Sequence, residues 1–233
     1  MRDAEQKAEQ ILGALEDVVT QHLLRIGLSK REVKAEWAKV PANIKAAPPR
    51  DVLHAMVGGK IPARGFGLGS DTGTGKTMAL AAIMRGFVRA RVRAWAEAMP
   101  RWAREKPEQI RDLPSLRKAT IWMSWPDTVT WIRARATDPV VEGLLQEAEV
   151  VPLLVLDDLG RERLKGSYVD DWAASQLDRI ISHRYREELP ILWATNLRER
   201  DLVERYGAAM VSRLTQDAPL AWIDGLRSMR LEA

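Results

Sequence analysis

The chain has no cysteine among its 233 residues. That excludes a disulfide framework, thiol catalysis and any Cys-ligated zinc or iron–sulfur site. Histidine is almost as scarce: His22, His54 and His183 stand far apart, which argues against a His-rich metal site. No apolar run approaches the roughly 20 residues of a membrane span, and the first residues do not open a secretory signal. The expectation is a cytoplasmic protein with no membrane partner. Only three Tyr and two Phe occur, against nine Trp. What remains is ordinary for a soluble globule: 46% hydrophobic residues, 29% charged, and a mean hydropathy of -0.26.

Charge of either sign is nearly balanced, 36 Lys and Arg against 32 Asp and Glu, for a net +4. Its distribution is uneven. Residues 85–118 hold ten basic and four acidic side chains, so this segment is +6 and the remainder of the chain is -2. Trp95 and Trp102 lie inside it, and Trp122, Trp125 and Trp131 follow. A basic stripe with aromatics suits single-stranded nucleic acid, because cations neutralise phosphates while rings stack on bases. Arg89, Arg91, Arg93, Arg101 and Arg104 are the candidates for that contact. The same pattern also fits a solvated helix face with its tryptophans turned inward.

The first 60 residues read as a small helical region. Apolar positions at helical spacing run from Ala4 to Leu24 and stop at Gly27. Ser29 with Glu32 forms a capping box that predicts a short helix through Trp37. A third helix is predicted over Asp51–Val57, ended by Gly58 and Gly59. This region carries no catalytic constellation, and either a helical cap or a partner-docking module fits it. From residue 61 onward the pattern changes. Short apolar runs near 64–69, 119–124, 151–157, 190–196 and 219–223 alternate with helical stretches, which predicts a parallel sheet covered by helices on both faces. The expected division is 1–60 and 61–233.

The strongest motif is Gly69-Ser70-Asp71-Thr72-Gly73-Thr74-Gly75-Lys76-Thr77, which follows a short apolar run and opens a helix near Met78. Strand, glycine-rich loop, Gly-Lys-Thr and helix is the context of a phosphate-binding loop. Glycines let backbone N–H groups turn inward around phosphates, and the helix N-terminus adds partial positive charge. Residues Ser70 to Met78 are thus expected to cradle a nucleotide, Lys76 to reach its β- and γ-phosphates, and Thr77 to ligate Mg2+. One departure stands out: the strict pattern places glycine at position 70, where this chain has serine.

Val150 to Asp158 is an apolar run ending in two carboxylates. A strand buried on both faces explains the run, and ligands of open α/β sheets bind beyond the carboxyl ends of strands. Asp157 is expected to hold Mg2+, and Asp158 to orient and deprotonate an attacking water. A further strand ends at Asn196, placed to hydrogen-bond a terminal phosphate or the lytic water. Arg213 falls near the end of a predicted helix and suits charge building on a transferring phosphoryl group.

Together Gly73-Thr74-Gly75-Lys76-Thr77, Leu154-Val155-Leu156-Asp157-Asp158-Leu159-Gly160, Trp172-Ala173, Arg184-Tyr185, Ala194-Thr195-Asn196-Leu197 and Ser212-Arg213-Leu214 resemble the AAA+ ATPases of the DnaC/IstB group over residues 64–230. The resemblance implies an α/β AAA+ P-loop fold with a five-stranded parallel sheet sandwiched by helices. It implies Asn196 as the sensor residue, Arg213 as an arginine finger given to a neighbouring subunit, and Arg230 in the C-terminal tail as a further residue near the nucleotide. Members contact single-stranded DNA through helices after the second strand, here 126–148, so that stretch and residues 85–118 both stand as DNA candidates. The expected function is an ATP- and Mg2+-dependent DNA replication protein that self-associates into a ring or spiral and loads a replicative helicase onto single-stranded DNA. A transposition helper ATPase with the same engine and a P-loop small-molecule kinase are the alternatives.

Overall fold

The computed structural model describes residues 15–98, 119–135, 138–162 and 171–225. Residues 15–25 form α1, followed by two 3-10 turns at Glu32–Lys34 and Trp37–Lys39. Then come α2 (Ala42–Ala46), α3 (Arg50–Val57), β1 (Phe66–Gly69), α4 (Lys76–Ala98), β2 (Thr120–Ser124), α5 (Trp125–Ala134) and α6 (Pro139–Val150). The chain continues through β3 (Leu153–Leu159), α7 (Asp171–Arg186), β4 (Ile191–Thr195), α8 (Glu199–Tyr206), α9 (Ala208–Asp217) and β5 (Leu220–Trp222).

All five strands are parallel, in the order β2-β3-β4-β1-β5. Strand side chains alternate between faces, and β3 shows the consequence. Leu153 and Val155 pack with α4 and the N-terminal elements, whereas Leu154 and Leu156 pack with α5 to α9. In β4, Leu192 and Ala194 face the first layer and Ile191 and Trp193 the second. Helices cover both faces, which is why the central strands read as unbroken apolar runs. The glycines of β1 have a steric cause: a Cβ on Gly67 would stand 2.3 Å from the Trp193 ring, and one on Gly69 2.5 Å from that of Trp222.

The predicted helix at 29–37 is replaced by the two 3-10 turns. The capping box itself forms, with Ser29 N donating to Glu32 Oε2 at 2.7 Å and Glu32 N to Ser29 Oγ at 3.3 Å. Val33 and Ala35 both enter the core, and residues two apart cannot share a helix face. The chain therefore leaves helical geometry at Ala35, where ψ is 134°. Helix α2 was not visible in the sequence. Across the expected boundary at residue 60 the core is continuous: Val19, Leu23, Ile26 and Ile44 belong to one cluster with Phe66, Leu68 and Leu80. Trp122 N also donates to Ile26 O at 2.7 Å, so the N-terminal segment bonds to the edge strand β2.

Among the described residues Arg184 is the most deeply buried cation. Its guanidinium donates to Ala148 O (2.9 Å), Glu149 O (3.3 Å), Val151 O (2.7 Å) and Pro190 O (2.8 Å). The first two are carbonyls at the end of α6, where the helix offers unpaired acceptors and partial negative charge. Burial pulls the group down to about 9, still charged at neutral pH. Arg184→Met keeps the bulk but strands those carbonyls. It is expected to lower stability by about 3 kcal/mol, the cost of losing hydrogen bonds to a charged group, as measured by chemical denaturation.

Candidate phosphate-binding site

A bulge and three strand ends build the site. Gly69 pairs with Thr195, so the loop leaving β1 starts beside Asn196. Between β3 and β4, Leu156 pairs with Trp193 and Leu159 with Thr195: three steps on one strand against two on the other. The extra residue falls at Asp157-Asp158, and Asp158 has φ +56°. Such bulges redirect side chains, and here both carboxylates line one cavity of about 350 Å³ with Thr72 to Met78 and Asn196.

Within the loop, Gly73 (φ +83°) and Gly75 (φ +102°) occupy the left-handed region that favours glycine. Among described non-glycine residues only Asp158 and Glu188 have positive φ, so position 70 needs no glycine. Ser70 is fully buried, and its hydroxyl is satisfied by Thr74 Oγ1 and by Lys76. Ala79 N donates to Gly75 O at 2.9 Å, which starts α4 at the loop's end.

Lys76 is 5% exposed. Its Nζ donates to Ser70 O (2.8 Å), Ser70 Oγ (3.1 Å), Asp71 O (2.9 Å) and Asn196 Oδ1 (2.7 Å). Burial lowers the amine to about 8, against the pull of Asp158, Asp157 and Asp71. Thr77 Oγ1 donates to Asp157 Oδ1 at 3.1 Å. Burial raises Asp157 to about 7, the charge of Asp158 adding to it and the Thr77 hydrogen bond opposing it. Among the described residues no cluster of three His, Cys, Asp or Glu forms a metal cage. One carboxylate and one hydroxyl instead converge, the sparse oxygen set on which Mg2+ with substrate phosphates relies.

Asp158 Oδ2 is held by Arg161 Nη1 at 2.6 Å, and Arg161 lines the same cavity. Nothing in the sequence spacing singled this arginine out. Gly27, Ser29, Arg31 and Glu32 also border the cavity, as does Trp122. A Cβ on Gly27 would lie 2.3 Å from Trp122 O, so this wall closes only with glycine. The capping box was legible at Ser29 and Glu32, but its place on the cavity wall was not.

Arg213 does not line this cavity. It sits on α9, donating to Asp178 Oδ1 (3.1 Å) and Ser182 Oγ (3.0 Å) of α7. Of the basic candidates, Arg89 pairs with Glu16 of α1 (2.7 Å), as does Arg85 of the same segment (3.1 Å), and Arg91 donates to Gly59 O. These side chains fasten α1 and the turn after α3 onto α4. Arg93 is exposed, while Arg101, Arg104, Trp102 and Arg230 lie outside the described residues. The aromatic part of the basic-stripe reading is corrected for Trp122 and Trp125, which are buried in the core, and Trp95 packs against the N-terminal cluster.

No protein-family model and no curated protein matches the sequence. Solved structures do match. DnaI aligns with a TM-score of 0.58 at 20% identity, over 85% of this chain and 93% of that one. The DnaC helicase loader aligns at 0.55 and 19%, over 84% of this chain and 100% of that one. The replication initiator DnaA bound to AMPPCP and single-stranded DNA aligns at 0.50 and 16%, over 83% of this chain and 54% of that one. At these identities the likeness is one of fold: the chain shares the α/β fold of DnaI and of the DnaC helicase loader. No helix of the described residues is long and apolar enough to cross a membrane.

The lowered Lys76 amine has a thermodynamic signature in the ligand-free protein. Because the folded form releases its proton near 8 and the unfolded chain near 10.5, the unfolded state binds more protons between those values, and stability must rise with pH there. Wild type is expected to gain stability relative to Lys76→Met as pH rises from 8 to 10.5, in paired urea titrations. A constant difference across that range would refute the shift.

Proposed function

We propose that this protein binds ATP with Mg2+ and hydrolyses it, as the engine of a helicase loader acting on single-stranded DNA. The observation that carries the reading is the meeting of Lys76, Thr77, Asp157, Asp158 and Asn196 in one cavity at the carboxyl end of the sheet. Lys76 exchanges the loop carbonyls for β- and γ-phosphate oxygens, and the loop N–H groups close around them. Thr77 and Asp157 would hold Mg2+, which would supply neutralisation of charge on those phosphates. Asn196, already bonded to Lys76, orients the lytic water. Asp158 accepts the water's proton as its oxygen bonds to the γ-phosphorus. The bond from that phosphorus to the β–γ bridging oxygen breaks, leaving ADP and phosphate.

Arg213 lies on α9 against α7, its side chain 38% exposed. In this reading it completes the site of a neighbouring copy in a ring or spiral, so hydrolysis reports assembly. Residues 1–60 dock the replicative helicase. The likeness to the DnaC helicase loader supports that choice of partner, and DnaA with its single-stranded DNA supports the nucleic acid.

ATP hydrolysis with and without single-stranded DNA tests this. The wild type is expected to be stimulated by DNA, and Lys76→Ala to fall to background. Asp158→Asn is expected to lose at least about 100-fold, the range of general-base removal, and Arg213→Ala about 1,000-fold, as for an arginine finger. Mixing Lys76→Ala with Arg213→Ala should restore part of the rate, because each lends the other an intact half-site. Full activity in Arg213→Ala would remove the shared site.

A further inference from the structure

Arg161 is a basic side chain within a phosphate cavity for which the hydrolysis scheme has no use. Its backbone is held firmly. Arg161 N donates to Asp158 O at 3.1 Å. Thr195 Oγ1 donates to Leu159 O at 2.7 Å, and Gly160 (φ +92°) presses so close to Leu197 that a Cβ would stand 2.4 Å from its Cδ1. Glu162, next in the chain, is buried and gripped by Arg205 Nε (3.0 Å) and the Tyr206 hydroxyl. The side chain of Arg161 is different. It is 42% exposed, and its other flank borders a groove with Thr130 and Arg133. It is an arm on a fixed post, tied at its tip to Asp158 and reaching solvent on its other flank.

The arm's present partner is easily given up. Its ion pair with Asp158 joins two partly exposed groups, and such pairs contribute little. A terminal phosphate offers more: two negative charges and oxygens that match the guanidinium fork. Arg161 and Lys76 line the same cavity, together with the loop residues Thr72 to Gly75.

Resting on the nucleotide reading above, we propose that Arg161 is the residue with which this chain distinguishes a nucleoside triphosphate from a diphosphate. It leaves Asp158 for the γ-phosphate, and the same movement frees the Asp158 carboxylate. Diphosphate does not reach the arm and leaves the Arg161–Asp158 pair closed. One subunit thus reads the terminal phosphate without help from a neighbour.

The test is binding, by calorimetry, of AMPPCP and of ADP, each with Mg2+, to the full chain and its variants. Arg161→Ala is expected to lose about tenfold in affinity for AMPPCP, the 1.4 kcal/mol of a single contact, while ADP affinity stays within twofold. Arg161→Lys should recover part of the loss, keeping the charge but not the fork. Equal weakening for both nucleotides, or no weakening for either, would overturn the proposal while leaving the nucleotide site intact. A wild type that binds neither nucleotide overturns the site reading itself, and this proposal with it. Circular dichroism of each variant separates a misfolded chain from one that has lost the contact, and Arg161→Gln supplies a second neutral variant.

Discussion

The ammonium of Lys76 organises the site. Placed at the first turn of α4 and nearly sealed from water, it cannot stay charged without oxygens around it. The chain supplies four at hydrogen-bond distance and places three carboxylates near enough to act through their fields. Those oxygens come from β1's loop and from the end of β4, two segments 120 residues apart. The cation therefore ties the glycine-rich loop to the end of β4. The acceptors around the cation are individually weak and neutral, so under the proposed function a phosphate would displace them by charge.

That arrangement depends on strand order. Inserting β4 between β1 and β3 leaves room between Lys76 and the two aspartates, and Asn196 fills the gap. The bulge in β3 then aims two consecutive carboxylates into one cavity, where a regular strand would have sent them to opposite faces. Strand packing and the site are thus consequences of one topology. Small residues in β1 admit the large rings of Trp193 and Trp222, so these two tryptophans serve the packing of the sheet.

Much of this was legible in the amino-acid sequence, for physical reasons. Gly73 and Gly75 are fixed by backbone sign, and the buried strands by their unbroken apolar runs, so the turn of the glycine-rich loop and the sheet could be read directly. Serine at position 70 departs from the pattern because the rule names glycine, whereas the backbone there has no positive φ to require one. What stayed hidden were pairings across long stretches of chain. Glu16 meets Arg85 and Arg89 over 69 and 73 residues, so a basic run that resembled a nucleic-acid surface is partly an internal fastening. Arg161 was hidden for the opposite reason: it lies only three residues from Asp158, where a turn and a site look the same in sequence.

Arg184 carries a further consequence, for the order in which the chain assembles. Its acceptors lie 36, 35 and 33 residues before it and 6 after it. No local turn can satisfy them. Until α6, the start of β3 and the approach to β4 are all in place, the guanidinium can be buried only at a steep desolvation cost. Partly built sheets are therefore penalised, and the two middle strands must dock together with α7 in one concerted event. A single buried arginine makes the centre of the sheet close as a unit.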